Sequence, residues 1–509
     1  MNNSFKFDDK ELDEIINGEI KKITEAKIVE KPEWLGKPER DFMALDYSRY
    51  KPRGFYTKSE KLKRYFRAVS WLQSIPFRVS NDEEFLAILM LGNTIKFKML
   101  GNNRNKYERF FNAFSSFIGA KDDWDLLKAA KESEITMDCN FLAKKREKLI
   151  KEARSCGGIL KINDQIRFAP EESNQVAELN FRILSAYQTP DGMLFQQTTD
   201  RRFFKRSFPE GLEICAALGS KFAESKIESS EKEKLIKVID ENKKILKGSS
   251  LYLLYLNSLK ALLEEPDPVA PGFMKNDAWK AKSCNTALAG WSQLRHIWAL
   301  QAKQNEDYFC SFSPPLGFVE PNTEFWGRMA DLAAETWKKF ELAGAFKKRS
   351  KLNIQMLWYK LENICRRLET ISHKQLRKIE LNESETDFIR YYGASIAEIM
   401  FYDGNSYEDP NDDAPRIVDV FSNSEKGGYL HVGISRPRKI YVLYPWKGKD
   451  ILCVGAVLPY YEFVNNTRLT DSEWKKKLDS NSRPSILKWQ EPIVRGKKLT
   501  KPDLKNLRE

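Results

Sequence analysis

Residues 279–304, WKAKSCNTALAGWSQLRHIWALQAKQ, read as one long helix of the protein core. The single glycine of this stretch, Gly290, allows a neighbouring element to approach the helix backbone closely. Further helical patterns fill most of the chain on both sides of it. The sequence therefore predicts a mainly α fold: a large multi-helix body, for which an α/α toroid is one arrangement, and a small antiparallel β-sheet region near the C-terminus.

The surrounding helical patterns carry recognisable start signals and apolar faces. The run SLYLLYLNSLKALLEE, residues 250–265, is apolar enough for a buried helix. The run NDEEFLAILML begins at Asn81, and its three acidic residues suit the positive end of a helix dipole. The run NTEFWGRMADLAAETWKKFELAG is predicted to be capped by Asn322 or Thr323. No repeat of fixed period is visible, so a solenoid is not predicted.

The texture of the sequence changes near residues 409–415, where EDPNDDAPR forms a polar break with two prolines. Four β-branched and aromatic runs follow, separated by turn residues: RIVDVFS, YLHVGIS, RKIYVLYP and DILCVGAVLPYYEF. They predict an antiparallel meander. The predicted division of the chain is an N-terminal helix and connector (1–45), a helical body (46–408), the meander (409–470), and a C-terminal helix with a basic tail (471–509).

The composition describes an ordered chain with few groups suited to metal or cofactor chemistry. Of the 509 residues, 41% are hydrophobic and 12% aromatic, and no stretch approaches the ~18–20 apolar residues of a membrane span. The seven cysteines are scattered without a CxxC pair, which favours buried thiols over a disulfide framework. Only three histidines occur, and phosphate-loop, GxGxxG, HExxH and GxSxG motifs are absent. We predict no metal site and no cofactor.

The net charge of +13 is concentrated in two regions. Residues 46–71, DYSRYKPRGFYTKSEKLKRYFRAVSW, hold eight basic and two acidic residues, and residues 416–509 hold 19 basic and 10 acidic ones. Such patches attract nucleic acid, anionic lipid or acidic polysaccharide, and they are also typical of solvated helix faces. Within residues 46–71, the spacing of Thr57 and Glu60 predicts a capping box, and the apolar residues after it predict one packed helix face.

Three basic residues are candidates for ligand binding. Arg53 precedes Gly54 in the turn YKPRGFY, where a planar guanidinium is expected to pin neighbouring loops, with an anionic ligand as the alternative. Arg295 and His296 stand next to each other in the long core helix. A hydrogen-bonded core or rim position is expected for this histidine, and contact with a ligand is the alternative.

Three carboxylates are further candidates. Glu320, in GFVEPN, lies just before a predicted helix, where capping and ion pairing are the common roles and catalysis is the alternative. Asp419 alternates with two valines, which predicts an exposed strand residue. Glu462 follows Tyr460 and Tyr461, and a carboxylate flanked by aromatic rings suits a sugar-binding groove, although this is the less favoured role for the residue.

Several stretches together resemble an uncharacterised, mostly bacterial family, domain of unknown function 3160, whose members are often exported or lipoprotein-like. The resemblance is carried by residues 46–71 and by FPEGLEICAALGS, FMKNDAWKAKSCNTALAGWSQLRH, GFVEPNTEFWGRMADLA and VGAVLPYYEF with RLTDSEW. It implies a helical body with a small β-containing C-terminal part and no known activity. It also implies polar residues at the positions of Phe55 and Ile297 and near Phe421. If those positions form a site in relatives, this chain has lost much of it.

Three functions are consistent with these observations. The first is a non-enzymatic or catalytically reduced helical binding or scaffold protein of the cell envelope, with a protein or polysaccharide partner. The second is a glycan-acting hydrolase that uses paired carboxylates in a helical toroid. The third, less favoured, is a nucleic-acid binder that uses the basic C-terminal region.

The sequence supports two different expectations for location. Its polar N-terminal residues do not resemble a signal peptide, and its cysteines are not arranged for disulfides, so the cytoplasm is expected for the chain as it stands. The family resemblance implies export, in which case a leader has been removed. The sequence leaves the oligomeric state open.

Overall fold

The computed structural model forms two compact units: unit 1 comprises residues 1–115 and 120–188, and unit 2 comprises residues 116–119 and 189–509. The structure describes residues 9–36, 44–96, 104–119, 124–155, 165–166, 179–185, 187, 189–200, 203–298, 317–344, 354–400, 414–423, 427–491 and 493. The fold class is confirmed, since most described residues are helical and the strands form small antiparallel sheets. The four-part division predicted from the sequence stays a prediction.

Unit 1 combines helices with two small antiparallel sheets, in the strand orders β1-β2-β4 and β3-β5. Its helices are α1 Lys10–Glu25, α2 Glu60–Ser74, α3 Asp82–Lys96, α4 Arg104–Phe117, α5 Leu126–Glu132 and α6 Cys139–Ser155, and its strands are β1 Val29–Glu30, β2 Ala44–Asp46, β3 Phe77–Arg78, β4 Gln165–Ile166 and β5 Asn180–Phe181. Asn81 accepts hydrogen bonds from the backbone N–H groups of Glu83 and Glu84, which confirms the predicted start of α3.

In the basic and aromatic stretch at residues 46–71, four of the seven aromatic rings are buried. Its rings pack: Tyr47 is buried and donates to Glu19 at 2.8 Å, and Tyr50 shares a hydrogen bond with Ser74. The predicted capping box at Thr57 is wrong. A 3-10 turn at Gly54–Thr57 uses the Thr57 hydroxyl to bond the Gly54 carbonyl, so α2 begins two residues later, with Ser59 as its cap.

Unit 2 contains the remaining helices and the C-terminal sheets. Its helices are α7 Pro190–Thr198, α8 Gly211–Ala217, α9 Lys221–Lys226, α10 Lys232–Asn242, α11 Leu251–Ala261, α12 Asp277–Trp298, α13 Thr323–Leu342, α14 Ile354–Leu376, α15 Glu383–Arg390, α16 Tyr392–Met400 and α17 Asp471–Leu478. Asn322 caps α13 by accepting from the Phe325 N–H, as predicted. Among the described helices, none has both the length and the apolar character that a membrane span requires.

Helix α12 lies in the main core of unit 2, as its sequence predicts. Its apolar side chains pack with residues of α8, α10 and α11 and with strands β6 and β7 in one hydrophobic cluster. A Cβ added at Gly290 would lie 2.8 Å from the Leu259 side chain and 3.3 Å from the Tyr255 hydroxyl. The close approach predicted at this glycine is therefore confirmed, and the neighbour is α11.

The described residues of the β-rich region form five strands in two sheets, and this differs from a four-strand meander. Its strands are β6 Arg416–Ser422, β7 Tyr429–Ile434, β8 Arg438–Trp446, β9 Lys449–Val457 and β10 Tyr460–Asn465. One sheet has the order β10-β7-β6, and β8 with β9 forms a separate hairpin. The run DILCVGAVLPYYEF is two strands, because Pro459 lacks the N–H that a continuous strand would need. The hairpin turns at Lys447 and Gly448, both at positive φ, which suits a two-residue turn.

Candidate functional site

The candidate site is a cavity of about 520 Å³ in unit 2, called the aromatic cavity. It lies between helices α11 and α12, residues 317–322 before α13, and the inner face of the hairpin β8–β9. Its volume falls in the range of ligand pockets, roughly 300–1,000 Å³. Among the described residues, six aromatic rings line it: Tyr255, Phe273, Trp279, Phe318, Phe325 and Tyr444.

The aromatic wall is held in place by packing and by one buried glutamine. Phe318 stacks on Tyr444 with ring centroids 4.4 Å apart, and Phe273 meets Trp279 edge-on at 4.8 Å. Gln375, buried on α14, exchanges hydrogen bonds with both the N–H and the C=O of Val319 and donates to the Tyr444 hydroxyl at 3.0 Å. The loop and the hairpin that form this wall are therefore fixed to α14.

The floor of the aromatic cavity is one face of α12, and it is polar. Three polar residues recur at helical spacing along about 16 Å of this helix: Lys282, Thr286 and Gln293. Between them, the small residues Ala289 and Gly290 leave space above the helix backbone. Lys282 is buried, forms an ion pair with Glu320, and places its ammonium 4.5 Å from the centre of the Trp279 ring. A charged pair thus marks one end of the floor.

Two polar atoms of the floor have no hydrogen-bond partner among the described residues. They are the hydroxyl oxygen of Thr286 and the side-chain nitrogen Nε2 of Gln293, and both are buried. The other end of the Gln293 amide accepts from Arg416 at 3.2 Å, so Nε2 remains as a donor. An unsatisfied buried polar group costs about 1–3 kcal/mol, which a ligand or an ordered water would relieve.

The six residues selected from the sequence do not form one site. Glu320 lines the aromatic cavity, whereas Arg295 lies thirteen residues beyond Lys282 on α12, about 20 Å away by helix rise. Arg295 contacts Thr189, Asp191 and the Val420 carbonyl, which joins α12 to α7 and β6. Arg53 belongs to unit 1, where it bonds the Arg49 carbonyl and lies 5.4 Å from the Phe66 ring centre.

His296 and Asp419 occupy buried positions around strand β6. His296 bonds Asp471, the first residue of α17, at 2.8 Å, and Asp471 also accepts from the Ile417 N–H at 3.0 Å. Burial acts to raise the pKa of Asp471, but the hydrogen bond and charge of His296 lower it below its usual value. Asp419 forms a buried ion pair with Arg468. It is therefore not the exposed strand residue that its alternation predicts.

Glu462 belongs to a group of three carboxylates near the start of α8. It accepts from the Gly211 N–H and the Tyr460 hydroxyl, each at 2.6 Å. Glu213 is fully buried, accepts from the Glu210 N–H at 2.7 Å and forms an ion pair with Arg206 at 2.5 Å. Burial raises the pKa of both Glu213 and Glu462 to about 7, against the lowering effect of these partners. The donors come from the chain itself, which indicates a structural role.

The raised pKa values of Glu213 and Glu462 predict how the stability of the protein depends on pH. A pKa raised from 4.5 to about 7 on folding stabilises the protonated, folded form. The stabilisation that each group contributes is therefore complete below pH 4.5 and is lost as the pH rises through 7. For Glu213 this loss amounts to about 3 kcal/mol of the free energy of unfolding. We expect Glu213→Gln to flatten the decline in the free energy of unfolding across this window, measured by urea denaturation at several pH values. Glu233→Gln, at an exposed position of α10, should keep the wild-type slope; equal slopes for both variants would contradict the prediction.

The described part of the chain holds neither a three-ligand metal-binding group nor a disulfide. No group of three or more His, Cys, Asp or Glu side chains there is arranged to hold a metal ion. The described cysteines, at positions 139, 215, 284, 365 and 453, are free thiols. Cys156 and Cys310 lie outside the described residues.

Comparison with known protein families identifies the family of the chain. A family model described as "Protein of unknown function (DUF3160)" matches residues 6–490. The chain belongs to the DUF3160 family. The match confirms the resemblance seen in the sequence and covers both units. No curated protein and no solved structure matches this DUF3160 protein. The family is described as one of unknown function.

The three apolar residues for which the resemblance implies polar counterparts occupy different places in the DUF3160 chain. Phe55 belongs to unit 1, where its ring meets Tyr56 edge-on at 5.7 Å. Phe421 packs against the main core of unit 2 and lies 6.2 Å from Phe208 between ring centres. Ile297 is half-buried near the end of α12. None of the three lines the aromatic cavity.

Sequence reasoning missed the polar floor of this DUF3160 protein, although a signal was present. Lys282, Thr286 and Gln293 stand at i, i+4 and i+11 in a helix whose other residues are mainly small or apolar. Polar residues that recur on one face of a core helix indicate either a packed polar network or a cavity. The aromatic wall gave no local signal, because its rings come from elements distant in sequence.

Proposed function

We propose that this DUF3160 protein is a non-enzymatic binding protein that holds a sugar ring in its aromatic cavity. The observation that carries the proposal is the pairing of an aromatic wall with a polar floor that has two unpartnered buried groups. A pyranose ring has C–H groups on its faces and hydroxyls around its edge, so it can contact rings on one side and hydrogen-bond on the other. A binding or scaffold role in the cell envelope, implied by the family resemblance, belongs to the same proposal.

The distribution of polar groups favours a sugar over other small ligands. The ion pair of Lys282, the Thr286 hydroxyl and the Gln293 amide are spread along the whole floor. A fatty acid or a simple aromatic acid has one polar end and would leave the remaining groups unsatisfied. A hydroxyl-rich ring can satisfy all of them, because each hydroxyl both donates and accepts.

The chemistry of the cavity favours binding over hydrolysis. Most glycoside hydrolases need two carboxyl groups that flank the scissile bond. Glu320 is the one carboxylate among the described residues that line the aromatic cavity, and Lys282 is ion-paired with it. The alternative of nucleic-acid binding relies partly on the basic residues 494–509, which lie outside the described residues.

The test is a binding experiment with Thr286→Val, which removes the hydroxyl and keeps the shape of the side chain. Wild-type protein is examined by saturation-transfer NMR and calorimetry with glucose, galactose, N-acetylglucosamine and glucuronic acid. We expect at least one sugar to bind, and Thr286→Val to weaken it about tenfold, the value of one lost hydrogen bond to a buried group. The variant should fold at least as stably as wild type, because it removes an unpartnered polar group.

Two controls decide the interpretation. Thr286→Ser keeps the hydroxyl and should retain most of the affinity, whereas Thr370→Val, at an exposed position on α14, should bind like wild type. Absence of binding by every sugar would refute the proposal. Binding that is equally strong in wild type and Thr286→Val would place the ligand elsewhere on the protein.

A further inference from the structure

A second cavity, of about 380 Å³, adjoins the aromatic cavity within unit 2. Of the residues that the structure describes, three line both cavities: Leu262, Trp279 and Pro321. The second one, called the polar cavity, is lined by charged and amide side chains that include Glu264, Glu265, Asp267, Lys280, Asn322 and Glu324. The ring-lined aromatic cavity and the polar cavity therefore meet at Trp279.

Helix α12 and the loop before α13 both run along the boundary between the two cavities. In each segment, residues two positions apart line different cavities. On α12, Lys280 lines the polar cavity and Lys282 the aromatic cavity, with Trp279 shared. Residues two apart on a helix point in nearly opposite directions. In the loop before α13, Glu320 lines the aromatic cavity, Asn322 the polar cavity, and Pro321 between them lines both. Trp279 and Pro321 thus form a shared partition.

The carboxylates of the polar cavity are arranged as hydrogen-bond acceptors. Glu264 and Glu324 pair with Arg328 at 3.1 and 3.4 Å, and Glu265 pairs with Lys280 at 3.5 Å. Because each of these three carboxylates already has a cationic partner, they do not select strongly for a cationic ligand such as a basic peptide. Ionised carboxylates accept hydrogen bonds only, and the hydroxyl groups of sugars donate to them.

We propose that the two cavities bind successive rings of one oligosaccharide, which passes across Trp279. This inference rests on the proposed sugar binding in the aromatic cavity and adds the size of the ligand and a second subsite. One ring contacts the aromatic wall and the floor of α12. The adjacent ring lies against Trp279, and its hydroxyl groups donate hydrogen bonds to Glu265, Asp267 and the neighbouring carboxylates.

The test measures how affinity depends on the length of the sugar. The probes are glucose and N-acetylglucosamine, each with its β-1,4-linked oligomers of two to six rings, titrated by calorimetry. We expect the dissociation constant to fall at least about tenfold between one ring and two or three rings, and then to level off. In Trp279→Ala the gain with length should disappear, because the shared platform is lost, and Trp279→Phe should retain part of it.

A milder pair of variants keeps the test decisive if Trp279→Ala folds poorly. Glu265→Gln and Asp267→Asn keep the shape of the side chain. Each should weaken the binding of oligomers severalfold and leave the binding of single rings unchanged. Glu241→Gln, at an exposed position just before the end of α10, is the matched control and should change neither. Affinity independent of length, with single-ring binding still sensitive to Thr286→Val, would overturn the second subsite and leave the proposed function standing. Absence of binding by every single ring and oligomer would overturn both.

Discussion

Replacement of Asp191 by alanine is expected to lower the free energy of unfolding by about 3–5 kcal/mol. Asp191 is fully buried on α7 and accepts hydrogen bonds from Tyr252 at 2.6 Å, Trp291 at 2.9 Å and Arg295 at 3.1 Å. Removing the carboxylate leaves a largely buried guanidinium without its counter-charge and two ring donors without an acceptor. Urea denaturation followed by tryptophan fluorescence measures the loss.

Two variants separate this effect from ordinary surface electrostatics. Asp191→Asn keeps the shape and one acceptor, so its loss should be smaller than that of the alanine variant. Asp331→Ala removes a carboxylate that pairs with Arg366 on the surface, where the aspartate side chain is 66% exposed. Exposed pairs contribute about 0–1 kcal/mol, and this variant should be nearly as stable as wild type. Equal losses for Asp191→Ala and Asp331→Ala would contradict the assignment of a buried network.

The role of Arg295 illustrates what the sequence could not provide. The pair Arg295–His296 stands out in the core helix, but its partners are 104 and 175 residues away, at Asp191 and Asp471. Ion pairs between distant segments leave no periodic trace, so a ligand role and a structural role look the same in sequence. The structure gives both residues protein partners and thereby joins α12 to α7 and α17.

Local features were predictable because their causes are local. The caps at Asn81 and Asn322 use donors within three residues, and the close approach at Gly290 follows from a missing side chain in a core helix. The topology of the β region was harder. Pairing of β10 with β7, and separation of β8 and β9 as a hairpin, depend on which strand covers the core. Alternation alone does not decide between these arrangements.

The candidate site shows an intermediate degree of predictability. Glu320 was identified as a carboxylate at the start of a helix, but its partner Lys282 lies 38 residues earlier. The hairpin contributes Tyr444 to the wall through strand alternation, yet its docking depends on Gln375 of α14. Side-chain periodicity therefore predicts which residues share a face, whereas the cavity arises where three such faces meet.

Trp474→Ala is expected to lower the free energy of unfolding by about 3–5 kcal/mol, comparable to the loss at Asp191. Trp474 is fully buried on α17, and its indole N–H donates to the Ile434 carbonyl of β7 at 2.8 Å. Its ring lies 5.5 Å from Tyr461 and 5.4 Å from Phe463, both on β10, between ring centres. Alanine would leave a large void between α17 and the sheet β10-β7-β6 and one carbonyl without its donor.

Matched variants distinguish packing from hydrogen bonding at this position. Trp474→Phe keeps most of the ring and loses the N–H, so it should cost about 1–3 kcal/mol, less than alanine. Leu452→Ala truncates a side chain that is 62% exposed on the outer face of the hairpin, and its effect should stay within about 0.5 kcal/mol. A Trp474→Ala protein as stable as Leu452→Ala would mean that α17 does not hold the sheet. Asp471, the first residue of α17, is bonded by His296 of α12 and by the Ile417 N–H of β6. Loosening α17 should therefore also weaken the contact between α12 and β6. Arg295, a member of the Asp191 network, supports the same contact through the Val420 carbonyl.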